Sequence, residues 1–133
     1  MKFALDTNTI IHLMVGTKSV ESNIEDAKSN GAQFIIPYTV HYEIQRGLII
    51  KQVPKHIKAY NIICENCSIE SITDNIWNRA ATIYAELYNK RFTVADADIL
   101  IAAFCIESGY TLVTDNTNDF KNIDGLNIVN WVQ

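Results

Sequence analysis

Hydrophobic and polar positions change period repeatedly along the chain. KFAL (2–5) is a short apolar run that predicts a strand, and Thr7 or Asn8 is placed to cap a following helix in which Ile10, Leu13 and Met14 share a face. Ser19 is placed to cap a second helix through VESNIEDAKSN, with Gly31 as its left-handed stop. QFIIP (33–37) predicts a second strand. Thr39 then caps a helix in which Val40, Ile44 and Leu48 recur at fourfold spacing. Pro54 breaks that helix, and another runs roughly from Lys55 to Asn66. SIESI predicts a third strand. Thr73 caps a long helix with a buried stripe of Ile76, Ala80, Ile83 and Leu87. A sixth helix runs from about Val94 to Ser108 and stops at Gly109, and YTLVT and LNIVNW supply the last strands.

Strands alternating with helices predict an α/β fold, a three-layer α/β/α sandwich around a central, mostly parallel sheet of four or five strands. No linker, repeat or low-complexity segment interrupts the pattern, so one domain is expected over residues 1–133. The five glycines (16, 31, 47, 109 and 125) match neither a P-loop nor a dinucleotide fingerprint.

Composition narrows the class. With 48% apolar and 20% charged residues the chain has ordinary globular content. Its longest uncharged apolar run, Ile99 to Ile106, is too short to span a bilayer. Lys2 is followed by Asp6 before any signal-type apolar segment, so no export signal is expected. Three cysteines (Cys64, Cys67, Cys105) make no even framework, which suits a reducing cytoplasm. A net charge of −4 argues against broad, nonspecific nucleic-acid binding but leaves room for an enzyme whose acids are gathered in one place.

The carboxylates fall at telling positions. In a parallel sheet, ligands sit beyond the carboxyl ends of the strands. Asp6 ends the first strand and Asp115 ends TLVT, so parallel strands bring both to one rim. Glu43 lies in the first turns of the helix after PYTVHYE, and Asp98 in the first turn of DADILIAAFCI. That last helix is apolar nearly all round, hence buried, and an acid at its head lies at the edge of the core. As a simple N-cap, Asp96 fits better than Asp98. Several carboxylates on one rim repel, and their pKa values rise together unless a cation is shared. Oxygen-only donors suit Mg²⁺ or Mn²⁺, which can activate water and hold a phosphodiester for in-line attack.

LDTN near the start, Glu43 in HYEI, DADILIAAF and TLVTDNTNDF together resemble the PIN-domain ribonucleases, and within them the VapC toxins of bacterial toxin–antitoxin pairs. The four motifs stand in the family's order over nearly the whole chain. The resemblance implies a Mg²⁺-dependent endoribonuclease, Mn²⁺ substituting, with a VapB-type antitoxin that inserts a segment at the active site, and a homodimer. Its RNA substrate would be tRNA, rRNA or mRNA. By motif, Asp6, Glu43 and Asp98 match the family's first three acids, leaving Asp96 as an accessory acid or cap. Many relatives place the fourth acid two residues after the Thr of the last motif, where this chain has Asn116 after Thr114. Relatives with Asn in that slot carry an acid just before the Phe, here Asp119. Asp119 is therefore the favoured fourth acid, Asn116 its polar helper and Asp115 the rival. Thr7, Asn8 and Thr114 are expected to orient metal-bound water or to cap backbone.

Between Glu43 and Glu65 there is no acid, while Arg46, Lys51, Lys55 and Lys58 fall there, a local positive patch suited to an RNA backbone or to a solvated helical face. Arg46, about one turn from Glu43, is placed for a phosphate contact or an ion pair. CENC (64–67) lacks the second pair that zinc needs and ends a helix rather than starting one, so neither metal nor redox chemistry is assigned to it. His12 and His41 are given structural roles, and Trp77 and Trp131 packing roles. Tyr38 and Tyr42 lie near Glu43, where either could face RNA. Two other functions fit parts of the pattern. A haloacid-dehalogenase-type phosphatase also begins strand–Asp, but needs a second Asp where Asn8 stands. A non-catalytic RNA- or partner-binding module would keep the carboxylates without cleavage.

Overall fold

The computed structural model describes residues 1–133. Five strands form one sheet: β1 (Lys2–Leu5), β2 (Gln33–Pro37), β3 (Ser68–Glu70), β4 (Thr111–Val113) and β5 (Ile128–Val129). Their order is β3-β2-β1-β4-β5, and every neighbouring pair is parallel. The expected three-layer architecture is what forms. Seven helices cover the sheet: α1 (Thr7–Met14), α2 (Lys18–Ser29), α3 (Tyr38–Lys51), α4 (Pro54–Glu65), α5 (Asp74–Asn89), α6 (Asp96–Ser108) and α7 (Thr117–Phe120). Helices α1, α2 and α4 pack together, as do α3, α5 and α6.

The apolar patterning explains the layering. The central strands are buried on both faces, as parallel strands require, with Ala4, Leu5, Ile35, Ile36, Leu112 and Val113 all inside. Helix α6 lies against β4 and buries Ile99, Ile101, Ala102, Ala103, Phe104 and Cys105. Helix α5 covers α6 with Ile76, Ala80, Ile83 and Leu87, the stripe its period predicts.

Helix starts differ from the sequence expectation at several points. Asp6 itself caps α1, accepting from the Thr7 backbone N–H, so neither Thr7 nor Asn8 is the cap. Thr17 precedes α2, while Ser19 lies inside it and donates to the Val132 carbonyl. Pro37 precedes α3, because strand β2 passes directly into the helix and draws Thr39 into its first turn. Thr73 does precede α5 but makes no side-chain cap. Ala95 precedes α6, which makes Asp96 its first residue rather than its cap. The strands are shorter than SIESI, YTLVT and LNIVNW suggested, because pairing with β2, β1 and β4 runs out. Helix α7 was not anticipated; at four residues it is too short to show a period.

The two tryptophans part company. Trp131 is buried and packs against Phe3 and Phe34, with ring centroids 4.9 and 6.5 Å apart. Trp77, expected in packing, is instead 54% exposed on α5, because it lies about a quarter-turn round from that helix's buried stripe. Trp131→Ala should destabilise the fold by about 3–5 kcal/mol, the usual cost of emptying a buried aromatic site, measured as a drop in the urea midpoint at unchanged m-value.

Candidate active site

The topology fixes where the site must be. The chain leaves β1 for β2 and β3 on one side, then returns to β4 and β5 on the other. The crevice between the carboxyl ends of β1 and β4 is the switch point, where ligands bind in open parallel sheets. Asp6 follows β1 at once, and Thr114 follows β4. Helix α3 leaves the carboxyl end of β2 and carries Glu43 in its second turn. Helix α6 runs back to the start of β4, so its own start, bearing Asp98, lies at the same rim.

Asp6 is the best-held of these acids. It is 4% exposed and accepts from the Thr7 N–H at 2.8 Å, the Thr114 hydroxyl at 2.8 Å and the Asn8 amide at 3.2 Å. Burial pushes its carboxyl above the usual carboxylate range, those hydrogen bonds oppose the rise, and the Asp115 charge adds to it. Thr114 has no exposed surface, accepts from Asn8 Nδ2 at 3.2 Å and from the Asn116 N–H at 3.0 Å. Asn8 also accepts from the Asp115 N–H at 3.1 Å. Asn8 is thus a bridge between strand ends, which leaves no second Asp for a phosphatase of the haloacid-dehalogenase type.

The other acids gather around Asp98. Its pKa is raised to about 6, first by burial and then by the charges of Asp6, Asp119 and Glu43. The sequence therefore named four acids whose fields overlap. Glu43 also accepts from the Thr7 hydroxyl at 3.3 Å, which ties α3 to the first strand's end. Asp119 accepts from Asn116 Nδ2 at 2.6 Å, as the reading of Asn116 as its helper expected. Asp96 lies exposed in the first turn of α6 and makes no hydrogen bond or ion pair with the other acids.

Asp115 is engaged elsewhere. Its carboxylate meets His12 Nε2 at 3.1 Å, and His12 Nδ1 meets the Thr17 hydroxyl at 2.9 Å. Both ring nitrogens are occupied, so His12 is a clamp on the β4–α7 loop and not a free base. Sequence reasoning passed over this pair because the two residues stand 103 positions apart and carry no shared motif. His41 is likewise structural, with Nδ1 2.7 Å from the Tyr60 hydroxyl. Arg46 forms no ion pair with Glu43; its guanidinium stacks over Tyr42 at 5.2 Å, a cation–π contact that competes for the same group. Arg46, Lys51 and Lys55 are all exposed, as are Tyr38 and Tyr42.

The donor set suits a hard divalent cation. All four candidate ligands are carboxylates, and their mutual repulsion at Asp98 is the force a cation removes. No three His, Cys, Asp or Glu side chains close on one point as a finished cage. Mg²⁺ does not require one, since it binds through one or two carboxylates, keeps water and meets substrate phosphates.

Several known proteins resemble this chain. A family model described as the PIN domain matches residues 3–126. Ribonuclease VapC2 of Rickettsia felis is 27% identical over 133 residues, covering 98% of each chain. Ribonuclease VapC1 of the same organism is 47% identical over 49 residues, 37% of each chain. Among solved structures, VapBC2 from Rickettsia felis bound to a DNA fragment from their promoter aligns with a TM-score of 0.89 at 25% identity, over 98% of this chain and 99% of that one. VapBC-1 from nontypeable Haemophilus influenzae aligns over the full length of both chains with a TM-score of 0.88 at 21% identity, a likeness of fold.

Asp98 also sets a pH dependence. A carboxyl with an unfolded pKa near 3.8 and a folded pKa of about 6 favours the fold while protonated, and that benefit is lost as pH rises through this window. Without added metal, Asp98→Asn should therefore raise Tm at pH 7.5 by about 4 °C, near 1 kcal/mol once solvent screening of this half-exposed group is allowed for. Below pH 4 the two proteins should melt together, and calorimetry over that range checks it.

Proposed function

The chain belongs to the PIN domain family, and from that premise we propose that it is an endoribonuclease toxin that hydrolyses RNA phosphodiester bonds and is neutralised by a cognate VapB-type antitoxin. The observation that carries this reading is the convergence of Asp6, Glu43 and Asp119 upon Asp98 at the sheet's switch point, where burial first and then these three charges raise its pKa to about 6. The likeness to the ribonucleases VapC1 and VapC2 of Rickettsia felis supports the reaction, and the VapBC complexes support the antitoxin partner. No helix is long and apolar enough to cross a membrane, which agrees with work on RNA in the cytoplasm.

Asp6, Glu43, Asp98 and Asp119 would hold the cation, Mg²⁺ with Mn²⁺ as substitute. When bound, it supplies an activated water and stabilises charge on the phosphate. The protein's own part is orientation. Thr114, Asn8 and the Thr7 N–H fix both oxygens of Asp6, so its lone pairs enter the crevice in one arrangement. The Thr7 hydroxyl sets Glu43 and Asn116 sets Asp119. His12 holds Asp115 aside, which makes Asp119 the fourth acid. Arg46, Lys51 and Lys55 on α3 and α4 are placed to meet RNA phosphates beyond Glu43. In this reading tRNA is a candidate substrate, and the working assembly is a homodimer.

Asp6→Asn and Asp98→Asn should each lower RNA cleavage by about 10²–10³-fold or more, with unchanged far-UV dichroism. Excess EDTA should do the same to the wild type, and Mg²⁺ should restore it. Undiminished cleavage in either variant would remove the proposal. Asp119→Asn should weaken the Mn²⁺ dependence of the rate strongly, whereas Asp115→Asn should shift it by about tenfold at most. The reverse ranking would assign the fourth position to Asp115.

A further inference from the structure

Helix α3 presents two tyrosines that the core does not use. Tyr38 and Tyr42 are 50 and 62% exposed. They stand one turn apart, about 140° round the helix from the buried Val40, Ile44 and Leu48. A tyrosine on a surface is ordinarily free to swing, but each of these rings is braced. The Arg46 guanidinium lies 5.2 Å from the centre of the Tyr42 ring. Tyr38 meets His41 edge to face, with centroids 5.8 Å apart. His41 in turn stacks on Tyr60 at 5.7 Å and is tied to its hydroxyl. Tyr60 has no exposed surface, so the bracing of Tyr38 runs back into the core.

The rings sit beside the acids. Round the helix, Arg46 falls between Tyr42 and Glu43, about 40° from the first and about 60° from the second. Glu43 is one of the charges felt at Asp98. RNA with a phosphate in that crevice would therefore pass Arg46 and bring its next nucleotide to Tyr42. The pair suits that nucleotide in both its parts. A guanidinium stacked on a ring keeps its N–H edge free for a phosphate, and the other face of the ring is left for a base. Arg46 has no ion pair within the chain, and no acid lies between Glu43 and Glu65 to repel a polyanion. An exposed face that is aromatic and cationic, rather than aliphatic, has the chemistry that takes unpaired bases.

We propose that Tyr42, backed by Arg46, is a stacking platform for the nucleobase next to the phosphate held at the acids, with Tyr38 receiving a further base. This rests on the nuclease reading and adds a demand on the substrate: a base must be unpaired to reach the ring.

Equilibrium binding to the Asp98→Asn protein, which should hold RNA without cutting it, tests the platform. The probes are a short oligouridylate and the same backbone with abasic residues throughout. Tyr42→Leu should weaken oligouridylate binding about tenfold, the usual weight of one stacked base, and change abasic binding by no more than about twofold. Tyr38→Leu should act in the same sense, less strongly. Tyr42→Phe should keep the affinity, because the ring and not the hydroxyl does the stacking. Both positions are exposed, and thermal melts check that each variant folds. With 5-iodouridine in the oligomer, irradiation should join it to Tyr42, a link that mass spectrometry locates. In the otherwise wild-type chain, Tyr42→Leu should raise KM for cleavage about tenfold at unchanged kcat. Equal loss on both oligomers, or loss on neither, would overturn the platform and leave the nuclease proposal standing. Undiminished cleavage without a crosslink at Tyr42 would also overturn it and assign the ring to a protein contact. A wild-type chain that neither binds nor cleaves RNA would remove both proposals.

Discussion

Repulsion between carboxylates gathered at one end of a parallel sheet is the constraint on which the site depends. Left in water these groups would spread apart, but each is fixed by an element that the fold cannot move independently. Asp6 terminates a strand paired on both sides, Glu43 rides a helix that begins where β2 stops, and Asp98 heads a helix buried along most of its length. Tertiary packing therefore does electrostatic work on the site, and Asp98 registers burial first and its acidic neighbours second in a pKa raised to about 6. The hydrogen bonds around Asp6 act in the opposite sense, keeping a buried carboxyl able to ionise. The balance between these two effects leaves a pocket with high demand for a small, hard cation.

The same constraint explains why the polar residues between the acids are so fully paired. Thr114, Asn8, Thr7 and Asn116 form a continuous chain of hydrogen bonds from Glu43 through Asp6 to Asp119. In a low-dielectric crevice an unpaired group among them would be costly, and a misplaced one would turn an acid away from the shared point. Asp115 shows the alternative outcome. Its carboxylate meets His12 Nε2, and Thr17 holds the other ring nitrogen, so this acid is tied to α1 rather than to Asn116 and Asp119.

How much of this was legible in the sequence follows from where each signal is stored. The alternation of short apolar runs with helical stripes gave the α/β architecture, and the acids at strand and helix ends pointed to one rim of the sheet, because both are properties of local spacing. Asn116 as partner to Asp119 was readable for the same reason, three residues apart on one loop. The helix caps were read less well. Thr7, Ser19 and Thr39 are good capping types, but β1 and β2 pass into α1 and α3 without a spare residue, so Asp6 and Pro37 occupy those cap positions, and α2 starts at Lys18, which leaves Thr17 before it and Ser19 inside. The His12–Asp115 clamp joins residues far apart in sequence and needed a distance that no motif encodes, whereas the Arg46–Tyr42 stack is a fourfold spacing on α3 that was passed over in favour of Glu43. Trp77 was misplaced because its size and apolar ring were weighed above its position, which falls off the period of the buried stripe Ile76, Ala80, Ile83 and Leu87.

A chain with net charge −4 that binds RNA at a cluster of acids looks self-defeating until charge is resolved by position. At the crevice a cation shared by the carboxylates would convert their field from repulsive to attractive toward a phosphate. Beyond Glu43 the α3–α4 segment is free of acids up to Glu65 and exposes Arg46, Lys51 and Lys55. A polyanion would therefore meet repulsion over most of the surface and attraction along one path. Net charge then serves selectivity more than affinity: it suppresses binding elsewhere and leaves the crevice, once a cation is held there, as the place where a phosphodiester would settle.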